Sequence, residues 1–206
     1  QQLKKTKLSL AICLMALLAM PGLAAQNRQL DSLLMEVENH PSQDYERLTR
    51  IINLLKVSVD FDKRKGMILA NEGVQIANKL NLIEEKGLAY YHLGKLHVMY
   101  RDRVEGEEYL RKAIELFTSC NSIFWEGSSH HMLASHYSRF SQNDDALKHN
   151  ALAYDLFEKY GKPVYMIESL GQSAVVYRYR KDYAKALEYY NRMATLADSE
   201  ADAATK

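Results

Sequence analysis

Apolar residues recur along this chain at helical rather than strand spacing, in blocks that repeat every 40 residues. Over 28–38, Leu30, Leu33, Leu34 and Val37 mark one face of a short helix that stops at Asn39-His40-Pro41. Longer helices are expected in pairs over 44–59 and 65–80, 84–101 and 105–120, 124–140 and 144–160, and 164–180 and 183–198. Short polar turns join the partners, the charged run 60–64 in the first pair and Arg101-Asp102-Arg103, Ser141-Gln142-Asn143 and Lys181-Asp182 in the others. Connections this short make the paired helices antiparallel neighbours.

In-register columns carry the period. Gly66, Gly106, Ala146 and Ala186 open the second helices, and Gly94, Ala134 and Ala174 lie in the middle of the first ones, where a small side chain lets a neighbouring helix approach. Leu93 and Leu133 precede two of these, and the ring-bearing His97, Tyr137 and Tyr177 follow three positions on. In the second helices the columns read Gly73, Ala113, Ala153 and Met193, then Ile76, Leu116, Leu156 and Leu196. Asn81, Asn121 and Gly161, residues that tolerate the left-handed conformation, close successive second helices. A unit of this kind is one hairpin that cannot bury its apolar face alone, so it must stack on its copies.

The resulting organisation is a leader at 1–24, a capping helix and linker at 25–43, and a repeat array at 44–200. Its units run about 44–81, 84–121, 124–161 and 164–199, and 201–206 is the start of a further unit or a tail. The chain opens on Gln and stops where another unit would begin, so it is expected to be a segment of a longer translated product.

The run Asp182-Tyr183-Ala184-Lys185-Ala186-Leu187-Glu188-Tyr189-Tyr190 closely resembles the second-helix signature of tetratricopeptide repeats. Ala146-Leu147 with Ala153, Gly106 with Leu110 and Ala113, and Gly94 and Ala134 occupy that family's packing positions. The likeness covers about residues 44–198 and departs in length, 40 residues against the family's usual 34. It implies an all-α, right-handed superhelical solenoid of antiparallel hairpins. The long variant is similar to the exported regions of some bacterial signalling proteins, in which a membrane span and a histidine kinase or DNA-binding domain follow.

Composition narrows the picture. Three prolines and nine glycines leave little turn chemistry for an all-β fold. Lys4, Lys5 and Lys7, the apolar run 8–18 and the small-x-small site Gly22-Leu23-Ala24 have the layout of a secretory signal peptide, cleaved near Ala24 or Ala25. The run is too short for a membrane span of roughly 20 residues, and Ile12 before Cys13 argues against lipidation. The expected location is periplasmic or secreted. Cleavage removes three lysines and no acids, taking the formal charge from +1 to −2, and no basic stripe for nucleic acid remains. Cys120 is then the one cysteine, which excludes an internal disulfide.

What the resemblance implies about a site is an inner groove lined by first-helix positions. These are Tyr91, Lys95, Val98 and Met99, then His131, Ser135, Ser138 and Arg139, then Glu168, Val175, Arg178 and Tyr179. The best candidates are Tyr91, Lys95, His131, Ser135, Arg139, Arg178 and Tyr179, whose rings and cations suit an extended peptide with carboxylates. The family's paired Asn and Lys for clamping a C-terminal carboxylate are replaced by Ile51 and Leu55. His131 and His136 are five residues apart, a spacing that does not share a helix face, and His97 falls in a packing column, so no metal is expected. Trp125 reads as filler between helices. No phosphate loop or nucleophile elbow is present, and Cys120 has no His and acid aligned with it. The expectation is a non-enzymatic binding scaffold without cofactor. Its partner is a protein or peptide, a second copy of the chain included, and a membrane enters only through the leader or a span beyond residue 206. The alternative is the periplasmic sensory region of a longer bacterial histidine kinase or transcriptional regulator.

Overall fold

The computed structural model describes residues 28–57 and 63–204, and all regular structure among them is helical. The leader 1–24 and most of the first turn lie outside the described residues. The helices are α1 (28–38), α2 (Tyr45–Val57), α3 (Lys63–Lys79), α4 (Ile83–Met99), α5 (Arg103–Ser119), α6 (Ile123–Arg139), α7 (Asn143–Tyr160), α8 (Pro163–Tyr179) and α9 (Tyr183–Ala204). The chain forms two compact units, Gln1–Asp60 and Phe61–Lys206. That division falls between the two helices that the register assigns to its first unit.

In the first unit, Val37 of α1 and Leu48, Ile51, Ile52, Leu54 and Leu55 of α2 are buried. Arg47 ties the two helices by donating to the carbonyls of Val37 and His40 at 2.6 Å each. Asp44 caps α2, its carboxylate accepting from the Arg47 amide at 3.0 Å. Ile51 and Leu55 are thus core residues.

In the second unit every helix from α3 to α9 begins 20 residues after the one before. The links explain this regularity. Asn81, Arg101, Asn121, Ser141, Gly161 and Lys181 all adopt positive φ, between 56° and 74°. The amide of the following residue then reaches back to a carbonyl five positions earlier, Leu82 to Ala77, Asp102 to His97 and so on through Asp182 to Tyr177. This is the Schellman closure, which satisfies carbonyls that a helix end leaves without a partner. The sequence register had placed it after second helices only, whereas the first helices close the same way on Arg101, Ser141 and Lys181. α9 differs. Position 201 holds Ala, which does not favour the left-handed conformation, and the helix runs on to Ala204, past the end expected at 198.

Each of these helices packs on the next, and in addition α4 touches α6 and α6 touches α8. Among the described residues the backbone of α5 does not approach that of α7, nor that of α7 that of α9. The first helices therefore gather on the inner side and the second helices splay on the outer one. Small residues permit the close approach: a Cβ on Gly87 would lie 2.7 Å from the Phe117 ring, and one on Gly127 would lie 3.0 Å from Phe157. Val98, Leu110, Leu133, Tyr137, Ala146 and Val176 form the central core, with Ala153, Phe157 and Met166 continuing it. No described helix is long and apolar enough to cross a membrane.

Candidate functional site

The inner face carries most of the positions expected of a groove, arranged in two groups. One lies at the α4 end. Tyr91 of α4 is half-buried with its ring 5.5 Å from Trp125, and its hydroxyl is pushed up to about 12 by burial and then by the Glu168 charge. Glu168 stands on α8, so the stacking brings side chains two units apart into each other's field. Burial also lowers the pKa of Lys95 on α4 and of His131 on α6, and His131 Nδ1 lies 3.5 Å from the Ser169 hydroxyl.

The second group forms a recess of about 680 Å³ between α6 and α8. Ser135, Ser138, Arg139, Val175 and Tyr179 line it, all positions expected from the register. Arg101, Ser141, Asn143 and Gln172 complete the lining. Sequence reasoning missed Arg101 and Ser141 because they read as turn residues; the 20-residue half-period of the links was the signal that placed them. No carboxylate lines this recess, and neither Arg101 nor Arg139 is paired with one among the described residues. The side-chain oxygen of Gln172 is buried there without a hydrogen-bond partner among the described residues.

Two expected positions fall elsewhere. Val98 is in the core rather than the groove, because it packs over Gly106, where a Cβ would meet its Cγ2 at 3.4 Å. Arg178 is exposed, with its guanidinium 5.2 Å from the Tyr179 ring, and does not line the recess.

Other candidates resolve into packing. His97 donates from Nδ1 to the Asp102 carboxylate at 3.1 Å and lies 5.3 Å from the Tyr109 ring. Trp125 packs among Tyr91, Phe117 and Phe124. His130 stacks on His149 with 2.8 Å between their Nδ1 atoms, and His149 stacks in turn on Tyr137. No group of three or more His, Cys, Asp or Glu positioned to hold a metal is found among the described residues. Cys120 is exposed at the end of α5.

No protein-family model matches this sequence. No curated protein matches it either. Among solved structures, the chain is similar to a signal transduction ATPase with numerous domains from Pyrococcus horikoshii that carries a tetratricopeptide repeat sensor. The TM-score is 0.67 at 20% identity over 84% of this chain. It is similar to the apo form of RapI, with a TM-score of 0.67 at 18% identity over 76% of this chain. Kinesin light chain TPR-like repeats from Podospora anserina give 0.66 at 15% identity, covering 86% of this chain and 91% of theirs. The chain spans 27% of the length of the ATPase and 58% of RapI. The fold is that of tetratricopeptide-type helical repeats, an all-α solenoid.

Proposed function

We propose that this chain is an exported, non-catalytic scaffold that binds an acidic, extended protein segment in the recess between α6 and α8. The observation that carries the reading is the lining itself. Among the described residues, Arg101 and Arg139 stand unpaired beside the hydroxyls of Ser135 and Ser138 and the ring of Tyr179, with no carboxylate to neutralise them. Guanidinium groups pair with carboxylates bidentately, and an aromatic ring supplies contact area at little entropic cost. Tyr91, Lys95 and His131 extend the surface toward α4. The protein partner is in keeping with the repeat fold, and export with the charged and apolar layout of 1–24.

Peptide display against the purified protein tests this. Acidic segments should be enriched, and R101E combined with R139E should abolish their binding while leaving helical circular dichroism intact. Enrichment of basic or apolar segments, or binding indifferent to the double variant, would overturn the reading. For export, the mature N-terminus should map near Ala25, and a product retaining Lys4 would refute it.

A second reading draws on the tetratricopeptide sensor named for the Pyrococcus protein. Here the array is the sensory region of a longer histidine kinase or regulator. A reading frame that continues past residue 206 into a membrane span and such a domain favours this reading, whereas a stop after further repeats removes it.

A further inference from the structure

Two packing columns, one on second helices and one on first helices, change character at the same place. The column of Leu110 reaches Asn150 one unit later, and the column of Leu93 and Leu133 reaches Ser173. The three leucines are wholly buried. Asn150, at 1% exposure, is buried as deeply, and Ser173 is buried too. Asn150 Nδ2 and Oδ1 both lack a hydrogen-bond partner among the described residues. An amide buried without partners costs free energy that a leucine there would not. Its place in an otherwise apolar column calls for a ligand.

The space for one is present. Asn150 and Ser173 line a cavity of about 240 Å³ between α7, α8 and α9, where the backbones of the outer helices α7 and α9 stand apart. Ser169, Tyr154, Asp155, Tyr189 and Arg192 complete its polar lining. Ser169 and Ser173 donate their hydroxyl protons to the carbonyls of Tyr165 and Ser169 at 3.0 Å each, and while the Ser169 oxygen also meets His131 Nδ1 at 3.5 Å, the Ser173 oxygen is left as an acceptor. Arg192 lies over the Tyr154 and Tyr189 rings, and neither it nor Asp155 has an ion-pair partner among the described residues. A cavity below the roughly 300–1,000 Å³ of drug-sized sites suits a small metabolite.

We infer that this cavity binds a free amino acid with a carboxamide side chain. Arg192 takes the carboxylate and Asp155 the ammonium, the two charges that a zwitterion presents and that this rim leaves uncompensated. The carboxamide pairs with Asn150, accepting from Nδ2 and donating to Oδ1, and its second N–H goes to the Ser173 hydroxyl oxygen. The site shares no lining residue with the recess of the proposed peptide partner and stands independently of it.

Thermal unfolding of the whole chain in the presence of each standard L-amino acid at millimolar concentration tests the assignment, because a ligand bound only by the fold raises the melting temperature saturably. Asparagine or glutamine should give the largest rise, leucine none, and the methyl ester and N-acetyl derivatives of the responding amino acid should fail. N150L should melt higher than wild type without ligand and lose the response. R192A, at an exposed position, should weaken binding by about tenfold or more with the fold intact. No response to any amino acid, as for a cavity holding water alone, would overturn the inference. So would an equal response to leucine, a response in R192A with the same half-saturating concentration as wild type, or a response that survives in N150L.

Discussion

Gly94 of α4 lies so close to Leu110 of α5 that a Cβ on the glycine would sit 2.7 Å from Leu110 Cγ and 3.1 Å from its backbone nitrogen. This contact holds the central hairpin together, and Leu110 is wholly buried in it. Part of the obstacle is main chain, which cannot rotate away. G94A should therefore destabilise by about 1–2 kcal/mol, the strain of overpacking exceeding the roughly 1 kcal/mol that alanine gains in a helix. Urea unfolding followed by circular dichroism checks this, and a variant more stable than wild type would show that α4 and α5 can separate at little cost.

The links isolate a backbone effect. Gly161 has φ 74° with nothing within 4 Å of a Cβ, so G161A changes conformational preference alone and should cost about 1 kcal/mol. Lys181, at φ 63°, is the mirror case, and K181G should gain a comparable amount. Equal stability of K181G and wild type would mean that the Asp182 to Tyr177 closure carries no conformational strain.

Tyr137 donates its hydroxyl to Glu107 at 2.7 Å and accepts from Arg111 at 2.7 Å, linking α5 to α6. Burial pushes Glu107 upward, but the hydrogen bonds from Tyr137 and Arg111 outweigh it and hold the carboxyl below its usual value. Y137F removes the bridging oxygen and should cost about 1–2 kcal/mol. The same unfolding assay reads it, and an unchanged midpoint would show that water replaces the hydroxyl at no penalty.

Acid should weaken the fold through its histidines. Burial lowers His130, His131, His136 and His149, and the neighbouring His149 and Arg111 help bring His130 to about 4. Arg111 and Lys148 also face His149, opposed by Asp145 and Glu107. The unfolded chain binds protons from about pH 6.5 down while these buried rings resist them, so stability is complete above 6.5 and lost as pH falls, for His130 until about 4. Keeping His130 neutral costs about 1.4 kcal/mol per pH unit within that window. The urea midpoint should drop between pH 7 and pH 5, and H130N should drop less; a flat profile would contradict the burial of these rings.

Much of the architecture was legible in the sequence. Gly66, Gly106, Ala146 and Ala186 did mark buried starts of second helices, and α1 to α8 fall where periodicity predicts. The second glycine column, Gly87 and Gly127 against Phe117 and Phe157, was equally present and went unread, because a glycine's partner is visible only once helices pack. Half of the left-handed links escaped for a different reason. Arg101, Ser141 and Lys181 are not residue types that favour positive φ, and the closing hydrogen bonds impose it.

By itself, the sequence determined that this chain is helical and that its hairpins stack, since both follow from local spacing of apolar and small residues. Only the tertiary structure decided which polar residues meet. Arg101 and Arg139 come from different units, as do Asn150 and Ser173. Side chains so far apart along the chain share a cavity only after stacking sets the distance between helices, a quantity no local pattern contains.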